Sequence, residues 1–79
     1  MKPIEAKIII LLSQLHPMKR NIISLSVKLD KSYDYVSKLL NIMIEKRFII
    51  GEIHAGKKFF IIKDQDLIKK AKEVLSEVK

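Results

Sequence analysis

The stretch from Asp30 to Lys46, DKSYDYVSKLLNIMIEK, constrains the fold more than any other part of the chain. Ser32 is a suitable N-cap, because its hydroxyl can accept a hydrogen bond from a free amide in the first helical turn. Asp34 follows at the positive end of the helix dipole, where a carboxylate is stabilising. The stretch therefore predicts a helix that begins after Ser32 and continues to about Lys46.

This helix has one apolar side and one polar side. The apolar stripe follows helical spacing and consists of Val36, Leu40, Met43 and Arg47, flanked by Leu39 and Ile44. The opposite face carries Asp34, Ser37, Lys38, Asn41 and Glu45. We expect the helix to pack on a core along the first side and to offer polar side chains along the second.

Length and composition narrow the class of protein. Seventy-nine residues make one small domain with a limited core, which a partner subunit would help to complete. The absence of cysteine excludes disulfides and thiolate metal sites. The longest apolar run, from Ile8 to Leu12, is too short to cross a bilayer, and no secretory signal is visible. We expect a cytoplasmic protein that has no membrane partner.

The net charge of +7 is unevenly distributed along the chain. Residues 17–63 carry +6 of it, residues 1–16 carry +1, and residues 64–79 are neutral. Basic charge concentrated in one part of a domain points to a polyanion such as nucleic acid. The alternative is a lysine-rich surface that serves only solubility.

The N-terminal segment predicts a first helix from Pro3 to about Leu15, since proline is favourable at the first helical position and Pro17 ends the segment. The core stripe of this helix is Ile4, Ile8, Leu11, Leu12 and Leu15. Ile9 and Ile10 fall on a second face of small and apolar residues, with Ala6 and Ser13. This second face indicates a dimer contact, unless the helix is simply buried nearly all round.

The next segment predicts a short helix joined to the following one by a tight turn. Met18, Lys19 and Arg20 form a basic connector that could be an edge strand. Asn21 is a candidate N-cap for a second helix over residues 22–29. The turn Asp30-Lys31 is as short as a helix-turn-helix requires.

After Arg47 the pattern changes to that of a β-hairpin and then to a last helix. Residues 48–53 and 58–63 are rich in β-branched and aromatic side chains, and Gly56 in the loop between them can take a positive φ. Asp64 or Asp66 caps the last helix, which continues to about Val78. Its apolar stripe is Leu67, Ile68, Ala71, Val74, Leu75 and Val78. We expect this stripe to dimerise, the alternative being that it packs back on its own domain.

The segment SLSVKLDKSYDYVSKLLNIMIEKRFIIGEI resembles the pattern of archaeal and bacterial winged helix-turn-helix transcription regulators. That pattern has Leu-Ala-x-x-Leu-Gly, then Ser-x-x-x-Val-Ser-x-x-Leu-x-x-Leu, then a basic pair and Leu-Ile. The matching positions are Leu25, Leu29, Ser32, Val36, Ser37, Leu40 and Met43, followed by Lys46, Arg47, Phe48 and Ile49. Asp30 and Arg47 stand where glycine is usual in the family, and aspartate tolerates the left-handed conformation better than most residues.

The resemblance implies a mainly α fold with a β-hairpin: a winged helix-turn-helix with a three-helix core, a wing and a C-terminal helix. Residues 1–63 would form the DNA-binding domain and residues 64–79 the dimerisation helix. The third helix would enter the major groove of double-stranded DNA, and the wing would touch backbone or minor groove. The expected DNA-binding residues are Tyr33, Asp34, Ser37, Lys38 and Asn41 on this helix, Lys57 and Lys58 on the wing, and Lys19, Arg20 and Lys31 beside them.

Other classes of function receive less support. His16 and His54 are far apart in the chain and have no nucleophile or carboxylate cluster near them, so we expect no enzyme and no catalytic residues. We expect no cofactor and no metal either. The sequence leaves a small-molecule effector open, and such a ligand would need the dimer cleft. The stronger rival is a winged helix that serves protein–protein contact in a transcription or replication assembly.

Overall fold

A computed structural model describes residues 1–77 and shows a mainly helical fold with one antiparallel hairpin. The helices are α1 (Pro3–Gln14), α2 (Ile22–Leu29), α3 (Tyr33–Glu45) and α4 (Asp66–Glu77), with a short 3-10 turn at Pro17–Lys19. The strands β1 (Ile49–His54) and β2 (Lys57–Ile62) form the hairpin. The predicted order of three helices, a hairpin and a last helix is therefore confirmed.

The caps of α2 and α3 follow the sequence. The Asn21 side chain accepts a hydrogen bond from the Ser24 amide at 2.9 Å, and the Ser32 hydroxyl accepts one from the Tyr35 amide at 3.1 Å. After α2 the chain reverses at Asp30, whose φ of 55° is left-handed. The amide of the next residue, Lys31, donates back to the Ser26 carbonyl, so the turn between the helices is closed by backbone hydrogen bonds.

The end of α3 uses the same motif and corrects one prediction. Arg47 was assigned to the apolar stripe, but it lies beyond the helix, is exposed and has a left-handed φ of 64°. The Phe48 amide donates to the Met43 carbonyl, and the Arg47 amide donates to the Ile44 carbonyl, which completes the helix end. Arg47 thus takes a left-handed conformation that glycine adopts more readily than a residue with a Cβ.

The predicted edge strand before α2 is wrong. Pro17 begins a 3-10 turn, because proline supplies no amide for a strand and fixes φ near the helical value. Within this turn the Met18 amide donates to His16 Nδ1 at 3.2 Å. One strand-like contact remains beside this turn, where the Phe60 amide donates to the Arg20 carbonyl at 2.9 Å. The connector therefore adjoins β2 without joining the sheet.

The hydrophobic core draws residues from α1, α2, α3, both strands and α4. Its fully buried side chains include Ile8, Leu25, Leu40, Met43 and Phe60. The helix α4 packs along α1, and Ala71 of α4 and Ile9 of α1 are both fully buried. Packing of the last helix on its own chain, the alternative that the sequence left open, is therefore what the structure shows.

Candidate nucleic-acid interface

The outer face of α3 is open to solvent along its whole length. Tyr33, Asp34, Lys38 and Asn41 are exposed, and Ser37 is half-buried. Leu39, Leu40 and Met43, with Val36, hold the opposite side of the helix in the core. This packing fixes the orientation of the helix, so the polar side chains of its outer face are accessible to a ligand that approaches it.

The tip of the hairpin lies close to the start of α3. Lys57 and Lys58 of β2 and Tyr33 of α3 line one groove, together with residues from the N-terminal turn of α2. Among the described residues that line this groove, none is acidic. Two of the predicted DNA contacts on the hairpin and one on α3 are therefore brought together.

The two hairpin lysines differ in their surroundings. Lys57 is exposed beside the turn, whereas the side chain of Lys58 lies back along the strand. Its Nζ is 5.6 Å from the centroid of the Phe60 ring, and a Cβ on Gly51 would lie 2.8 Å from its Cε. Glycine at position 51 thus makes room for Lys58, and Lys57 is the more freely extended of the two cations.

The three flanking cations also have different environments. Lys19 is exposed on the 3-10 turn. Arg20 is half-buried and its Nε donates to the Leu15 carbonyl at 3.0 Å, so part of its guanidinium is used to tie this turn to the end of α1. The Nζ of Lys31 lies 5.7 Å from the centroid of the Tyr35 ring. Lys19 and Lys31 therefore have the more accessible charges.

The residues predicted for a dimer interface are only partly accessible in the single chain. Ile9 and Ala71 are fully buried, so neither is available at the surface of this fold. Ile10, Leu67, Ile68, Val74 and Leu75 are half-buried against the core. Val78 lies outside the described residues.

One buried ion pair was missed at the sequence level. Glu5 is fully buried, and its carboxylate accepts hydrogen bonds from the Lys46 ammonium at 2.9 Å and the Lys2 amide at 2.8 Å. Burial would raise the pKa of Glu5, but the Lys2 amide, the Lys46 ammonium and the N-terminal charge hold it below the ordinary value. The pair joins the start of α1 to the end of α3.

Two exposed apolar or aromatic side chains near the predicted interface were also missed. Tyr35 is 45% exposed in the first turn of α3, and Ile53 is 73% exposed near the hairpin tip. The sequence could have indicated that Tyr35 is exposed, because Tyr35 comes directly before Val36, the first core residue of α3. Ile53 lies on the same face of β1 as Ile49, and only the structure shows that the core ends before it.

Within the described residues no three metal-ligating side chains cluster, and no helix is both long and apolar enough to span a membrane. Comparison of the chain with protein-family models, with curated proteins and with solved structures finds no match.

Proposed function

We propose that the protein is a winged helix-turn-helix that binds double-stranded DNA sequence-specifically and regulates transcription as a homodimer. In this proposal α2 and α3 are the helix-turn-helix, α1 completes the three-helix core and the hairpin is the wing. The observation that carries the proposal is the shared groove of Tyr33, Lys57 and Lys58, because it brings two cations of the hairpin tip beside the start of α3.

The exposed face of α3 supplies the chemistry for reading bases. An asparagine such as Asn41 can pair bidentately with adenine, and a lysine such as Lys38 can reach the acceptors of guanine. The hydroxyls of Tyr33 and Ser37 can donate to phosphates. Asp34 lies in the first turn of α3, where its carboxylate stabilises the positive end of the helix dipole. The same carboxylate can accept a hydrogen bond from a cytosine amino group.

The exposed cations beside the helix supply affinity that does not depend on sequence. Lys19, Lys31 and Lys57 are exposed, and each can neutralise a phosphate. Residues 17–63 carry +6 of the net charge of +7, which matches a single polyanion-binding region. Phosphate contacts of this kind set the orientation on the duplex, whereas contacts to base edges set the sequence preference.

A titration of the full chain with mixed-sequence duplex DNA at several salt concentrations tests the proposal. The observed association constant should fall with a log–log slope of about −0.9 for each phosphate neutralised. Lys57→Ala should reduce the slope by about one such increment, whereas Lys69→Ala, a change on the exposed face of α4, should leave it unchanged. Affinity that stays flat as salt rises would sink the DNA proposal.

A winged helix used for protein–protein contact is the second candidate, and one observation favours it. Ile23 and Val27 lie one turn apart on the outer side of α2 and are both exposed. Neighbouring apolar side chains on a surface are typical of protein contacts. If this candidate is correct, substitution of Ile23 and Val27 should abolish binding of the partner protein. The affinity of the wild type for duplex DNA should then be weak and non-specific.

A further inference from the structure

The hairpin tip carries an exposed apolar side chain whose position the core does not explain. Ile53 is 73% exposed, although its face of the hairpin is also the face that packs into the protein. On this face Ile49 and Phe60 are buried at the base of the hairpin. Ile53 lies beyond them, paired in register with Lys58, so it extends the apolar face past the end of the core.

The face that bears Ile53 is turned toward α3. A Cβ placed on Gly51, the preceding residue of that face, would lie 3.7 Å from the Ile44 side chain of α3. On the opposite face of the tip, the His54 ring and the Glu52 carboxylate pair at 2.8 Å, and Phe59 lies 6.1 Å from the His54 ring and is only 9% exposed. Of the described residues at the tip, Ile53 is therefore the large apolar side chain that stays exposed, whereas Phe59 is covered.

The neighbouring lysine leaves Ile53 uncovered on this face. The Lys58 side chain follows the hairpin toward Gly51 and the Phe60 ring, away from the turn. The turn itself is tight: Ala55 and Gly56 have φ values of 51° and 76°, as two-residue hairpin loops favour. A short turn of this kind fixes the direction in which Ile53 projects.

We infer that Ile53 is a wedge that enters the minor groove of a bound duplex and partly unstacks one base step. Proteins that bind the minor groove insert isoleucine and similar apolar side chains in this way, and the unstacked step kinks the DNA. Lys57, exposed at the turn beside the wedge, would hold a phosphate at the edge of the groove. The inference rests on the proposed function, since it assigns a role within the same duplex complex.

The test measures bending and affinity separately. The probe is a mixed-sequence duplex of ~30 base pairs with a fluorophore at each end, used with full-length protein. Binding of the wild type should increase energy transfer between the ends, as a kink of roughly 20–90° requires. Ile53→Ala should bind about tenfold more weakly and bend the duplex less, because the buried apolar contact is lost. Ile53→Leu should restore most of the bend.

Ile50→Ala is the matched control. Ile50 belongs to the same strand and is also exposed, at 44%, but it lies on the opposite face of the hairpin. This change should leave affinity and bending as in the wild type. Circular dichroism should show that all three variants are folded, since neither side chain belongs to the buried core.

A central mismatch in the duplex provides the second measurement, because a mismatched step is already partly unstacked. Wild type should bind it several-fold more tightly than the matched duplex, and Ile53→Ala should lose most of this gain. The wedge is overturned if the wild type binds in a salt-dependent way without bending, or if Ile53→Ala and Ile50→Ala behave alike. If the wild type does not bind duplex at all, the proposed function fails and the wedge fails with it.

Discussion

Glu5 shows how one residue can join elements that are distant in the chain. It lies in the first turn of α1 and is fully buried, yet its ionic partner, Lys46, is 41 positions away. A buried carboxylate is stable only with partners, and here the Lys2 amide and the Lys46 ammonium fill that role. The pair therefore fixes the C-terminal end of α3 relative to α1, and with it the orientation of the exposed helix face.

The pair predicts a stability that depends on acid. The pKa of Glu5 is lower in the folded protein, so its contribution is fully present above the unfolded pKa of about 4.3 and is lost as the pH falls through the folded value. Glu5→Gln should lower the free energy of unfolding at neutral pH by about 1–3 kcal/mol and flatten its decline below about pH 5.

Urea unfolding at several pH values measures both effects. The control is Glu45→Gln, because Glu45 is an exposed carboxylate at the end of α3 and should give nearly the wild-type profile. Equal pH profiles for the wild type and Glu5→Gln would contradict the assignment.

Arg47 illustrates a residue held in a conformation that its side chain disfavours. Its φ of 64° is left-handed, which is unfavourable for a residue with a Cβ, whereas glycine adopts it readily. Arg47→Gly should therefore raise the free energy of unfolding by about 0.5–1 kcal/mol. Arg47→Ala removes the same charge but keeps the Cβ, so it should not stabilise, and chemical denaturation can distinguish the two variants. A destabilised Arg47→Gly would show that the arginine side chain contributes more than its backbone strain costs.

At the scale of elements, the sequence predicted what depends on local chemistry. The bounds of α2, its Asn21 cap and the Ser32 cap of α3 all follow from residues within one turn of each other. The predicted hairpin is also present, although its loop is shorter than expected, with His54 and Lys57 paired in the strands. The position of Ile53 beyond the core and the pairing of Glu5 could not be predicted, because both depend on how separate elements pack.

The helix and the hairpin should make separable contributions to duplex binding. Asn41→Ala and Lys38→Ala should each cost about 1–3 kcal/mol at the preferred site and relax the preference among sequences. Lys57→Ala should weaken all duplexes alike, and Lys58→Ala should do so less, because its ammonium already lies over the Phe60 ring. Binding selections with each variant measure the preference. If the hairpin changes shift the selected sequence and the helix changes do not, the reading element has been assigned wrongly.

At the scale of the whole molecule, the pairing of α1 with α4 determines which surfaces remain for a partner. Each helix carries an apolar face that the sequence alone could not assign to a partner chain or to its own chain. In the structure α1 and α4 pack together, and Ile9 of α1 and Ala71 of α4 are both fully buried, so the centre of both faces is occupied within one chain. What remains are half-buried side chains, among them Ile10 and Leu75, which border a groove with Lys7 and Lys28.

We therefore predict a homodimer that uses this remaining border instead of the buried centre. Light scattering at tens of micromolar should show twice the mass of one chain, and Leu75→Lys should give a folded monomer, since Leu75 is only half-buried. Ala71→Lys is the contrasting variant, because a charge at this fully buried position should unfold the protein. Removal of residues 64–79 should have the same effect, since it removes the helix that packs along α1.

A two-fold dimer would place two copies of α3 about one DNA turn, roughly 34 Å, apart and would select a palindromic site. Leu75→Lys should then bind the full palindrome far more weakly than the wild type but bind a single half-site almost equally, because only the linkage between the two copies of α3 is lost. A wild-type chain that is monomeric at tens of micromolar would contradict the dimer. The DNA site that such a monomer selects should then not be palindromic. DNA binding by α3 and the hairpin would survive that result, since it needs only one chain.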